Sequence, residues 1–195
     1  MRILVCGGAG YIGSHTCLSL TRRGPQAVTP DSAVNSRPRV VPRLRRLAGV
    51  PMPVHRVDMR DRGALTALFA TYRFDAVLHF AALKAVGDSC RRPLEYFDNN
   101  ITGSLRLIEA MQECGVGLFV FSSSATVYGE PDACPIDESA ATRVTNPYGR
   151  TKLVVEQLLS DVAAAHPSFH VASLRYFNPV GAHESGLIGE DPNGI

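Results

Sequence analysis

A tyrosine and a lysine stand four residues apart in the stretch NPYGRTK, at Tyr148 and Lys152. On a helix that spacing is one turn, so the phenol and the ammonium share a face. A free phenol titrates near pH 10 and is a poor base at neutral pH. A cation one turn away favours the phenolate, which makes Tyr148 a candidate general base. Surface pairs of this kind are commonplace, so this one gains meaning only from its company. Ser124, in FSSSATVYG, offers a hydroxyl that can bond the same substrate oxygen. Far upstream, GGAGYIG sets Gly8, Gly10 and Gly13 in G-x-G-x-x-G spacing, and Gly7, Gly10 and Gly13 in the G-x-x-G-x-x-G variant. Absent side chains let the backbone approach a pyrophosphate, and a following helix N-terminus offers it free N–H groups. Asp31 stands where a carboxylate usually receives the adenosine ribose hydroxyls. Its charge repels a 2′-phosphate and favours NAD over NADP, with Arg37 nearby pulling the other way. Asp58 either meets the adenine edge or helps Asp61 start a helix.

These groups need a scaffold, and the chain supplies alternating elements. Short apolar, β-branched runs lie at 2–6, 26–29, 52–57, 75–80, 117–122 and 169–177. The second strand is expected to stop at Thr29, because Pro30 lacks a ladder donor. Helical periodicity follows at 13–23, 61–72, 93–114 and 147–165. Asp61 caps the second of these, Gly115 stops the third, and Asn146 with Pro147 opens the fourth. The alternation predicts an α/β fold, a Rossmann-type doubly wound parallel sheet. In such a sheet ligands gather beyond the carboxyl ends of the strands, so Ser124 stands over the cofactor. Residues 1–177 make the NAD-binding domain, and a Gly/Pro-rich tail, 178–195, without regular structure, opens a substrate-binding region.

The 195 residues suffice for one large core, and 45% hydrophobic with 19% charged residues describes a globular chain. A net charge of +2 argues against nucleic acid as a partner. The basic run RPRVVPRLRRL (37–47) has no interleaved aromatics for base stacking and reads as a solvated helix face. Five scattered cysteines show no C-x-x-C pair and fit idle thiols in a reducing compartment. His166 and His170 are separated by Pro167, which breaks the helix a ligand pair would need, so no metal is expected. No run resembles a signal peptide or a membrane span, and a cytoplasmic location is expected.

Taken together, GGAGYIGSHT, HFAALKAVGDS, PLEYFDNN, FSSSATVYG, NPYGRTK and LRYFNPVGAH…GEDPNGI make a specific array. The chain resembles the extended short-chain dehydrogenase/reductases over its whole length, and within them the epimerases of UDP-hexoses. The resemblance implies that Tyr148, helped by Ser124, takes the proton of the sugar's C4 hydroxyl while the C4 hydride passes to resident NAD⁺. The 4-keto sugar then turns over and takes the hydride back, converting UDP-galactose to UDP-glucose. Lys152 bridges the nicotinamide ribose and the tyrosine. By the same resemblance Gly7, Gly10, Tyr11, Ile12 and Gly13 line the pyrophosphate turn. Asp31, Ser32, Asn35 and Ser36 surround the adenosine ribose, and Asp58 and Met59 lie at the adenine. Phe80, Ala81, Lys84, Asn99 and Phe177 complete the cofactor site, while Lys84, Ser124, Tyr148 and Asn178 meet the UDP-sugar. A homodimer through the helices at 93–114 and 147–165 is also implied.

The chain departs from the resembled pattern at Cys6, where threonine is usual, at Pro30, and at Ser32 and Ala33. The resembled enzymes also continue past DPNGI into a smaller domain that grips uridine and phosphate. The chain is therefore read as an N-terminal portion lacking most of that clamp, and without its binding energy turnover should be poor. Related dehydratases place carboxylates after the active-site serine or threonine, whereas Ala125 and Thr126 follow Ser124 and disfavour that chemistry. A non-catalytic NAD-binding portion and an epimerase for another UDP-sugar are the alternatives.

Overall fold

The structure, a computed structural model, describes residues 1–191. Six strands form one sheet: β1 (Arg2–Cys6), β2 (Gln26–Asp31), β3 (Val54–Arg56), β4 (Ala76–His79), β5 (Leu118–Ser124) and β6 (His170–Tyr176). Their order is β3-β2-β1-β4-β5-β6, and every pairing is parallel. The helices are α1 (Tyr11–Arg22), α2 (Val40–Ala48), α3 (Arg62–Thr71), α4 (Val86–Arg91), α5 (Pro93–Phe97), α6 (Gly103–Glu113) and α7 (Pro147–Ala165). Alternation along β1 divides the core. Ile3 and Val5 pack with Cys17, Leu18 and Leu44 on one face, while Leu4 and Cys6 join Leu65, Phe69, Leu107, Met111 and Leu159 on the other. The strand order reverses between β1 and β4, and a crevice opens there beyond the carboxyl ends.

The doubly wound fold is as expected, with instructive differences in detail. β2 does not stop at Thr29 but runs through Pro30 to Asp31, with Pro30 opposite His55. Thr29 and Asp31 bond the β3 side, so Pro30 turns toward the end of β1 and the β2–β3 ladder is unaffected. The donor that Pro30 lacks leaves at most one bond to the end of β1 unmade, and its carbonyl accepts the Gly7 N–H at 2.9 Å. β5 extends two residues beyond the apolar run into the serines, so Ser124 pairs with Tyr176.

The pattern over 93–114 is not one helix. It is α5, a π-helical turn at Asp98–Thr102, and α6. Such wide turns insert a residue and re-aim its neighbours. Here the Asn100 amide nitrogen donates to the Leu83 carbonyl and to Thr151 Oγ1, both at 3.0 Å, while its oxygen accepts the Leu83 N–H at 2.9 Å. The tail after β6 is also more ordered than its composition suggests. Ala182 and Gly189 form an antiparallel bridge, and Ile188 is buried against the core beside α1 and α2. The last four residues of the region assigned to 178–195, and so the end of DPNGI, lie outside the described residues.

Candidate active site

The glycine turn is dictated by space. Gly7 has φ +76°, and a Cβ there would meet the Ala81 nitrogen at 2.7 Å. A Cβ on Gly13 would lie 2.2 Å from the Gly7 carbonyl oxygen. The turn closes with the Gly10 N–H on that same oxygen at 3.0 Å. α1 then starts at Tyr11 with no side-chain cap and no acidic residue in its first turn, which leaves its first N–H groups for an anion. At the tip of β2, Asp31 is held rather than idle. One carboxylate oxygen accepts from the Ala9 N–H at 3.0 Å, the other from the Ala33 N–H and the Ser36 hydroxyl, both at 2.9 Å. The carboxylate so positioned faces the crevice with acceptor capacity left for ribose hydroxyls.

At the other end, Asn146 accepts the Gly149 N–H at 2.8 Å and Pro147 opens α7, so the first turn presents Tyr148 and Lys152 together. Lys152 is only 3% exposed. Its ammonium donates to the Ser122 carbonyl at 2.7 Å and lies 4.9 Å from the centre of the Phe121 ring and 5.8 Å from that of Tyr148. Burial pushes its pKa from 10.5 down to about 7, opposed by the charge of Glu156 one turn on. The Tyr148 phenol is pushed above its ordinary value by burial, with the Ser124 side chain acting the other way. The Lys152 ammonium bonds a backbone carbonyl rather than the phenol, and desolvation is the largest influence on both groups. Ser124 ends β5, and its hydroxyl accepts from the Thr126 N–H and hydroxyl at 3.2 and 3.0 Å.

These two ends open on one cavity of about 500 Å³. It brings together Gly7, Gly10, Tyr11, Ile12, Gly13, Asp31, Ser32, Asn35, Asp58, Met59, Phe80, Ala81, Lys84, Asn99, Ser124, Tyr148, Lys152, Phe177 and Asn178. Ser36 is the exception, since it is not in the cavity lining and reaches the site by bonding Asp31. Two of the grouped residues are held in ion pairs. Asp58 is paired with Arg60 at 2.6 Å, which holds its carboxyl below the usual range, and Lys84 bonds Glu190 at 2.7 Å. Sequence reading missed Ser89, whose hydroxyl accepts the Tyr148 N–H at 3.2 Å, and the Asn100–Thr151 clamp on the same turn. It also missed Glu190 and Asp191, which close the cavity from the tail. No spacing rule would have found these, for each acts across more than forty residues of chain. Among the described residues no His, Cys, Asp and Glu group could hold a metal ion. Nor is any helix there long and apolar enough to cross a membrane.

A glycine turn with no room for a Cβ, a held carboxylate at the tip of β2 and a buried serine, tyrosine and lysine over one crevice are the arrangement of the dinucleotide-binding class of doubly wound folds. The chain belongs to the NAD dependent epimerase/dehydratase family, whose pattern matches residues 3–190. It is 53% identical over 196 residues to a UDP-glucose 4-epimerase of Pasteurella multocida, and 52% identical to one of Bacillus subtilis over 195. Both alignments cover the whole chain but 58% of the relative, so the chain spans little more than half their length. Among solved structures, the UDP-glucose-4-epimerase of Stenotrophomonas maltophila with NAD and formylated UDP-arabinopyranose superposes with a TM-score of 0.96 at 57% identity. That of Bifidobacterium longum with NAD⁺ and UDP gives 0.97 at 47%. Each is matched over 100% of this chain and 58% of its own.

Proposed function

We propose that this chain carries the cofactor site and catalytic residues of an NAD-dependent epimerase that inverts C4 of a UDP-hexose, interconverting UDP-galactose and UDP-glucose through a 4-keto sugar. The observation that carries the reading is the shared crevice: Ser124, Tyr148 and Lys152 open on the cavity that the glycine turn and Asp31 also line. NAD⁺ fits the groups present, because the turn tolerates no Cβ at Gly7 or Gly13 and the N-terminus of α1 carries no cap of its own. Bound there, it would supply a hydride acceptor for C4 and a positive ring charge that favours the phenolate.

The chain's residues handle the rest. Tyr148 removes the proton from the C4 hydroxyl and returns it to the C4 oxygen once the turned sugar has taken its hydride back on the other face. Ser124 bonds the same oxygen and steadies the alkoxide as it forms. Lys152 has a buried ammonium with donors beyond the one spent on Ser122, which can hold ribose hydroxyls. Residues 1–177 are the NAD-binding domain and 178–195 begin the substrate-binding region; Asn178 from the latter and Lys84 from the former meet the UDP-sugar. The homodimer read from the sequence belongs to the same proposal, with Leu94 on α5 left 85% exposed.

A second reading, a non-catalytic NAD-binding portion, is favoured by one fact, that the chain spans 58% of its relatives. Turnover of UDP-galactose by the purified chain with added NAD⁺, beside Tyr148→Phe, separates the two. Product that the variant abolishes supports the epimerase. NAD⁺ binding by calorimetry without product supports the second reading.

A further inference from the structure

One turn beyond Lys152, on the same face of α7, lies a carboxylate that the chemistry above does not use. Glu156 accepts from the Arg175 guanidinium of β6 in forked geometry, at 2.7 Å from Nη2 and 3.0 Å from Nε. The two side chains are 11% and 21% exposed. Glu156 also accepts from the hydroxyl of Ser123. Ser123 sits between Ser122, whose carbonyl holds Lys152, and Ser124. Arg175 continues to the Tyr128 hydroxyl at 2.9 Å, just past the 3₁₀ turn Ala125–Val127 that follows Ser124. The pair thus ties α7, the end of β5, the next turn and β6 to a single point.

We propose that Glu156, held by Arg175, is a positioning residue for the serine–tyrosine–lysine site: it grips Ser123 and so fixes the strand end that presents the Ser122 carbonyl to Lys152 and the Ser124 hydroxyl to Tyr148. The proposal rests on those three residues being the reacting set. A neutral network could have fixed the strand as well. An ion pair does something more, because its carboxylate stands one turn from a buried ammonium while its guanidinium cancels part of that field. Lys152 is faced by Tyr148 and Glu156 from α7, by His79 from β4, and by Phe121 and the Ser122 carbonyl from β5. Burial pushes His79 down to about 3, so it stays neutral while Lys152 titrates.

The chain contains two lysines, Lys84 and Lys152, so an Nζ-adjacent ¹³C label resolves each amine by NMR without cofactor or substrate. In Glu156→Gln the Lys152 midpoint falls by about half a pH unit or more, because an attracting charge is lost and Arg175 is left unpaired. In Arg175→Gln it rises, because Glu156 is left uncompensated. A merely structural brace would loosen in either variant, admit water and raise Lys152 both times. An unchanged or raised midpoint in Glu156→Gln therefore overturns the proposal. Should that variant fail to fold, Ser123→Ala removes the grip with both charges kept. The midpoint then climbs toward an ordinary lysine by about half a pH unit or more as the strand end frees, and no change overturns the proposal. The readout needs no turnover, so its failure and that of the epimerase reading are distinguishable.

Discussion

Replacing Lys152 by methionine should make the chain more stable at pH 6, and by an amount that shrinks as pH rises. The side chains are similar in length, so packing against Phe121 and Tyr148 is largely kept. What changes is a buried charge. The drop from 10.5 to about 7, at about 1.4 kcal/mol per pH unit, sets a ceiling of about 5 kcal/mol on the cost of carrying the ammonium into the fold. Below pH 7 the lysine is protonated in both folded and unfolded chains, and the full cost is present. Between pH 7 and 10.5 the folded chain sheds the proton while the unfolded chain keeps it, so the unfolded state binds more protons and wild-type stability rises. Methionine has no such dependence. Urea titrations under reducing conditions should give a stabilisation of about 3–5 kcal/mol at pH 6, lower by about 3 kcal/mol at pH 9.5. Other titrating groups are common to both proteins and cancel in the difference. Lys152→Met less stable than wild type at pH 6, or a gap that does not narrow with pH, would show that the ammonium is not a desolvated charge and refute the reasoning. The stabilised variant should also have lost its hold on NAD⁺, a trade between stability and function at one atom.

Other consequences are equally direct. Gly13→Ala forces a methyl to 2.2 Å from the Gly7 carbonyl; calorimetry should show NAD⁺ affinity down at least about tenfold, with about 2–3 kcal/mol lost in urea unfolding. Asp31→Asn removes the charge facing the adenosine ribose, and competition binding should move the NADP/NAD preference by about tenfold toward NADP. Tyr148→Phe should cut epimerisation by about 10²–10⁴ while NAD⁺ affinity by calorimetry stays within about twofold, because Lys152 bonds Ser122 and not the phenol.

What was legible in the sequence was whatever depends on near neighbours. The glycines at 7, 10 and 13 and the Asn146–Pro147 opening of α7 are local geometry, and so is the one-turn spacing of Tyr148 and Lys152. Pro30 misled because its cost depends on which neighbour it faces, and only the fold shows that the β3 ladder runs through Thr29 and Asp31 and is untouched by it. The π-helical turn was invisible because residues 98–102 keep helical periodicity, and only the two hydrogen bonds between Asn100 and Leu83 show what the widened turn serves. Glu156 carried no signal in the sequence, since its partner Arg175 lies 19 residues on, in another element. The charge balance at Lys152 could not be read at all, because desolvation belongs to the packed core and not to the residue.

The most direct measurement follows the hydrogen at C4. UDP-galactose carrying deuterium at C4 is incubated with the purified chain and NAD⁺ in ordinary water, and the product is read by NMR. Tyr148 handling only the hydroxyl proton predicts UDP-glucose that keeps its deuterium at C4. Product with solvent hydrogen at C4 contradicts the assignment of Ser124, Tyr148 and Lys152 as the reacting set, and no product from a chain that binds NAD⁺ favours the non-catalytic reading.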